Sequence, residues 1–185
     1  IVYAILLSAA VGNLKGGHEL GKFAFNLGEE LHADEIKAKL YVSLYVTLTH
    51  WRTHLRESLE PLLAGFQSGL DAGDVEYTCH NAMYYCYYML CAGEPLTQVR
   101  QQQEHFLAIM RQYKQEFHIT YTEVWVHVVK ALRDGKQTIA AMTAPLYAMI
   151  PDLERVNNRT SLFCAHLALC QLHYWFGDPK QAVYH

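Results

Sequence analysis

The sequence predicts an all-α fold, a right-handed α-solenoid of about four helical hairpins. Three observations predict it. Turn signals at Gly12, Thr53, Gly93, Gly135 and Gly177 recur with a period of about 41 residues. Between them, apolar residues return at steps of three and four, the stride of a helix face. The turns every eight to twelve residues that a β-protein needs are missing.

The repeating units run over about residues 13–53, 54–93, 94–135 and 136–177 of a single helical-repeat domain spanning 1–185. Each divides again at an inner turn: His32-Ala33-Asp34, Ala72-Gly73-Asp74, Glu116-Phe117-His118 and Asn157-Asn158. Asp34 and Asp74 read as N-caps, with Glu35 and Glu76 adding negative charge to the first turns. In the first unit the predicted buried stripes are Leu20, Phe23, Leu27 and Leu31, then Leu40, Leu44, Leu48 and Trp51. The second has Leu55, Leu59, Leu63 and Phe66, then Met83, Tyr87 and Leu90. The third has Val99, Phe106 and Met110, then Val124, His127 and Leu132. The last ends with Leu162, His166, Leu169 and Leu172 or His173. The β-branched run Val124–Val129 sits where a second helix belongs and is read as helix. Pro61 sits either in the first turn of a helix capped by Ser58 or at a kink in a longer one. Pro145 and Pro151 predict a loop and a short helix in the fourth unit. Gly21, Ala24 and Gly28 lie on or beside the first apolar stripe and let a neighbouring backbone approach.

Half of the 185 residues are hydrophobic and the net charge is -3. The first number excludes a disordered linker and the second argues against a nucleic-acid partner. Apolar runs are broken by polar residues too soon for a membrane span. Residues 1–11 are apolar but lack a basic start and a cleavage site, so they do not read as a signal peptide. With no initiator Met, the expectation is a piece of a longer protein that begins inside a helix. Cys79, Cys86, Cys91, Cys164 and Cys170 form no Cys-x-x-Cys pair and lie among apolar residues. They read as buried reduced thiols and predict a cytoplasmic protein.

Several segments together resemble a known family. They are Gly21-Lys22-Phe23-Ala24, His50-Trp51-Arg52-Thr53-His54-Leu55-Arg56-Glu57, Leu63-Ala64-Gly65-Phe66-Gln67-Ser68-Gly69-Leu70-Asp71-Ala72-Gly73-Asp74-Val75-Glu76-Tyr77, Cys91-Ala92-Gly93-Glu94-Pro95-Leu96, and Leu169 through Asp178. In this order they resemble the tetratricopeptide-like (TPR-like) helical region of large bacterial signalling proteins. Those proteins join a serine/threonine-kinase-like domain, an AAA/STAND ATPase module, a GAF domain and often a sensor histidine kinase. The period departs from the roughly 34 residues of typical tetratricopeptide repeats. The resemblance implies a relay or docking role; the kinase and ATPase motifs of such parents are not in this chain. One near miss, Gly16 followed by Gly21-Lys22, has Phe23 where a P-loop needs Ser or Thr.

Candidate chemistry is sparse. His50 and His54 have the i, i+4 spacing of a zinc pair, but they bracket a turn and lack an obvious third ligand. Cys79-His80-Cys86 and Cys164-His166-Cys170 mix ligand types and read better as core. The expectation is therefore no metal, no cofactor and no catalytic residue. Tyr84 and Tyr88 share a helix face in a Tyr-rich middle and, with Trp125 and His127, are the candidate binding residues. Arg52 and Arg56 would add charge to the same groove, against the plainer reading of solvated surface. The expected partner is a protein or peptide, or a neighbouring domain of the same chain, with room for a dimer. The competing expectation is a small-molecule sensor with an enclosed pocket lined by Tyr84, Tyr88, Trp125 and His127.

Overall fold

The computed structural model describes residues 1–134 and 138–185. Among these residues the chain is all-helical and holds no strand. The order is α1 (Val2–Ala9), α2 (Leu14–Glu30), α3 (Asp34–Thr47), 3₁₀ turns at Thr49–Trp51 and Leu55–Ser58, α4 (Leu59–Ala72) and α5 (Val75–Cys91). Then follow α6 (Leu96–Gln112), α7 (Glu116–Asp134), α8 (Ile139–Arg155), α9 (Arg159–Trp175) and α10 (Pro179–Tyr184). The chain divides into two compact units, Ile1–Glu94 and Pro95–His185.

The helices stop and restart by one repeated device. A residue with positive φ ends the helix: His32 (51°), Gly73 (72°), Gly93 (75°), Lys114 (54°), Asn157 (52°) and Gly177 (84°). The next N–H then closes on a carbonyl five residues back, as Asp74 does on Gly69, Asn158 on Leu153 and Asp178 on His173. Asp74, Asn158 and Asp178 at once become N-caps, accepting from the amides of Tyr77, Ser161 and Gln181. Gly12 has φ 76°, and Asn13 after it accepts from the Gly16 amide. Two residues thus satisfy the orphan carbonyls of one helix and the orphan amides of the next.

Two turn expectations need correction. The stop at His32 puts Ala33 in the cap slot, so Asp34 is the first helical residue and makes no cap bond. The turn expected at Glu116–His118 lies earlier, at Lys114, and α7 already begins at Glu116. The turn expected at Thr53 is there, between the 3₁₀ turns Thr49–Trp51 and Leu55–Ser58. The turn expected at Gly135 lies outside the described residues.

In the first unit, Ala4, Leu44 and Leu48 form a buried cluster with Ile1, Ile5, Leu20, Phe25 and Tyr45 packed on it. Helix α5 is buried over most of its circumference, with Cys79, Ala82, Met83, Cys86 and Met89 enclosed. Two predicted stripes are only partly buried. Phe23, Leu27 and Leu31 of α2 are exposed, Phe23 by 62 % and Leu31 by 68 %. The fully buried residues of α2 are Gly17 and Gly21. A Cβ on Gly21 would lie 2.4 Å from Leu48 Cδ1. In α4, Leu63 is exposed while Leu62, Gly65 and Gly69 face inward. Trp51 is likewise exposed, because α3 ends at Thr47 and the 3₁₀ turn rotates it off the Leu40–Leu44–Leu48 face. Small residues make a large part of these two contact faces, beside Leu20 and Phe25 of α2 and Leu62 of α4.

Asn81 explains why α4 needs its glycine. Its Nδ2 donates to the carbonyls of Ala38 (3.0 Å) and Tyr77 (2.7 Å), tying α5 to α3. Gly65 lies against the other side of that amide. Pro61 occupies the first turn of α4, where its missing N–H has no helical partner to lose.

In the second unit the core is Val99, Phe106 and Met110 of α6, Val124, Trp125 and Val128 of α7, Leu146 of α8, and Leu169 and Leu172 of α9. The run Val124–Val129 is helical. Helix α8 runs unbroken through Pro145 and Pro151, so the loop expected within the fourth unit is not there. The carbonyls those prolines leave unbonded belong to Ala141 and Tyr147, both exposed residues that water can satisfy. Met142, Leu146 and Leu153 hold the buried side of the helix in place.

Candidate functional site

Four of the six candidate binding residues lie in the first unit. Tyr88 is 6 % exposed and its hydroxyl donates to the Val46 carbonyl at 3.1 Å. Burial pushes its pKa up. It is a core strut there, and a partner meets little of it. Tyr84 is half-buried beside the His80 ring. Arg56 pairs with Glu94 at 2.8 Å and donates to the Ala92 carbonyl, fastening the second 3₁₀ turn to the end of α5. Arg52 is exposed after the first 3₁₀ turn.

Trp125 and His127 lie in the second unit. Trp125 is buried within α7. His127 lines a hollow of about 80 Å³ with Lys130, Ala131, Met142 and Pro145. That is the space of roughly three waters, far below the ~300 Å³ of a small-molecule pocket. Burial first, then Lys130 and Arg100, lower the His127 pKa, while Glu123 opposes them.

The histidine pair with zinc-like spacing, His50 and His54, lies at the 3₁₀ junction. His54 Nδ1 accepts from the Arg56 amide at 3.1 Å, and the His50 ring lies against Trp51. Among the described residues no group of three or more His, Cys, Asp or Glu is arranged to hold a metal ion. Gly16, Gly21 and Lys22 lie inside α2, so the P-loop near miss is helical and cradles nothing. Cys79, Cys86 and Cys164 are buried, and burial raises the thiols of Cys79 and Cys164 to about 11. Cys91 is exposed, contrary to the reading of all five as buried.

The most chemically furnished cleft is one that sequence reasoning passed over. It lies in the first unit between α2 and the α3–3₁₀ junction and has a volume of about 250 Å³. His18, Lys22 and Asn26 line one wall at i, i+4 and i+8 of α2. Thr49 and Thr53 line the other, and Phe25, Leu44 and Tyr45 form an apolar floor. Thr49 Oγ1 donates to the Leu44 carbonyl, whereas Thr53 Oγ1 is buried with no hydrogen-bond partner among the described residues. The His18 side chain is 13 % exposed. Burial first, then the positive charge of Lys22, lower its pKa; Glu19 opposes and Arg52 adds to the lowering. Phe25 packs edge-on against Tyr41 and Tyr45, which stiffens the floor. The four-residue stride of His18, Lys22 and Asn26 was the available signal. It carries no weight until the opposite wall is known.

A third cluster occurs in the second unit. Tyr147 Oη lies 3.2 Å from His173 Nε2 and 2.7 Å from His185 Nε2, and His166 Nδ1 lies 3.1 Å from His185 Nδ1. Asp178 stands 3.6 Å from His173 Nδ1. Burial and the two neighbouring imidazoles lower the His185 pKa.

No described helix is long and apolar enough to cross a membrane. Comparison with protein-family models gives no match, and comparison with curated proteins gives none either.

Proposed function

We propose that this chain is a non-catalytic helical-repeat module, a right-handed α-solenoid of about four hairpins, that docks a partner protein, a peptide or a neighbouring domain of its own chain. Its setting on this reading is a cytoplasmic multidomain signalling protein of the kinase and ATPase kind. The observation that carries the docking role is the ridge Phe23–Leu27–Leu31. These three large apolar side chains stand one above another on α2, all exposed, on a helix already packed through its glycine side. Such a ridge fits the apolar face of an amphipathic helix, read through side chains at i, i+4 and i+8. The expected occupant is therefore helical. Binding there would be transmitted through α2 to the Leu44–Leu48 cluster that Gly21 touches.

The test is capture of candidate partner domains by the chain and by a Phe23→Ser/Leu31→Ser variant, with helicity and melting followed by circular dichroism. Loss of a partner with the fold kept supports the reading. A partner held equally by both proteins sinks it.

A further inference from the structure

We propose that the cleft between α2 and the α3–3₁₀ junction binds a small organic anion, an oxyanion carried on a short apolar body such as a phosphate monoester or an aromatic carboxylate. This site uses side chains other than the docking ridge and stands whether or not that reading holds.

Three features converge on this ligand class. The first is donor geometry. Lys22, His18 and Asn26 project from successive turns of α2, and Thr53 lines the facing wall. Thr53 Oγ1 has no hydrogen-bond partner among the described residues, and a buried polar atom left so costs about 1–3 kcal/mol. An oxyanion can accept from such a hydroxyl and from a lysine at once.

The second is charge. Lys22 lines the cleft, and both Lys22 and Arg52 act on His18 as positive charges. Glu19, the carboxylate that opposes them at His18, has a side chain 63 % exposed and stands 3.9 Å away. An exposed carboxylate is screened by water and weakens the field little. A cationic ligand would meet this field unfavourably; an anion relieves it.

The third is the floor. Phe25, Leu44 and Tyr45 give the cleft an apolar side that a bare, strongly hydrated ion leaves unused. The volume, about 250 Å³, matches a ring or short chain with one anionic group, near the lower end of ligand pockets at ~300 Å³.

The experiment is a nuclear magnetic resonance titration of the His18 imidazole, assigned with a His18→Gln variant. The probes are phenyl phosphate, benzoate, inorganic phosphate and neutral phenol. Phenyl phosphate or benzoate should shift the His18 signal saturably and raise its pKa, because a bound anion offsets Lys22 and Arg52. Lys22→Ala should weaken binding by about tenfold or more, and Lys22→Arg should keep most of it. Lys22 is exposed, so the variant's fold is expected to survive, and circular dichroism checks it. The proposal is overturned by no saturable shift with any anion at about 10 mM, the edge of useful affinity. Equal binding by folded Lys22→Ala overturns it too, as does phenol binding as well as phenyl phosphate. Inorganic phosphate matching phenyl phosphate would remove the apolar half of the ligand assignment.

Discussion

Replacing Gly65 with alanine tests the packing logic of the first unit most directly. A Cβ at this position would lie 2.2 Å from Asn81 Oδ1 and 2.7 Å from both Asn81 Cγ and Tyr41 Cβ. Real Cβ atoms do not sit that close. Tyr41 Cβ cannot rotate away, because it moves only with the α3 backbone. Asn81 can move only by giving up its bonds to the Ala38 and Tyr77 carbonyls. Alanine gains about 1 kcal/mol of helix propensity over glycine. Against that stand about 1–3 kcal/mol of overpacking and about 1 kcal/mol for each buried hydrogen bond lost. The expected net loss is about 2–4 kcal/mol, a fall in melting temperature of about 5–15 °C. Gly28→Ala is the internal control. Its Cβ would meet Leu40 Cδ1 at 2.5 Å, the far end of a flexible side chain. That clash can be relieved by rotation, so its stability should stay within about 1 kcal/mol of the parent. Thermal and urea unfolding followed by circular dichroism measure both variants. If Gly65→Ala melts at or above the parent, the close approach of α4 to Asn81 is not what holds these helices together.

Two further outcomes follow from the turns and the histidines. Asp74→Ala should lose about 1 kcal/mol with the bond to the Tyr77 amide. Asp34→Ala should lose only the ~0.3–1 kcal/mol of a first-turn charge, since it caps nothing, and urea unfolding separates the two. Stability should also fall with acid. The folded His127 pKa lies below its ordinary 6.5, so its neutral form is the one the fold accommodates. That contribution is present above pH 6.5 and is lost as pH falls through the folded value. His127→Gln should flatten the slope of stability against pH below 6.5; an unchanged slope would assign the acid loss to other groups.

The legible parts of the sequence were those with local signals. Gly-Asp and Asn-Asn pairs mark the stop and restart of helices at Gly73, Asn157 and Gly177, because positive φ and a short acceptor are needed there in turn. The buried faces of α6 and α9 were also readable, since Val99, Phe106, Met110, Leu169 and Leu172 are large and apolar. The faces of α2 and α4 were not. A glycine contact has no hydrophobic signature, so the stripe with the larger residues was read as the inner one. Helix α8 failed for a related reason: local rules end a helix at proline, but a buried Met142–Leu146–Leu153 edge outweighs two lost bonds at exposed carbonyls. Of the cleft residues, Lys22, Leu44 and Thr53 drew notice for other reasons; what joins them is a packing that no local window contains.

The two sides of α2 also bear on how the chain would work. Gly17 and Gly21 bury little apolar area of their own, so their value lies in admitting Leu44 and Leu48 to the α2 backbone. Leu20 and Phe25 spend their apolar area on the core, whereas the exposed part of Phe23, Leu27 and Leu31 adds nothing to folding. At about 25 cal/mol per Å², covering a Phe or Leu yields about 1.5–3 kcal/mol, which remains available for association. One helix therefore holds two separable functions on opposite sides. Substitution at Gly21 acts on the first unit's stability, whereas substitution at Phe23 acts on what the unit can hold. A variant that loses binding through Phe23 without losing stability would separate them; a Phe23 variant that unfolds would return that face to the core.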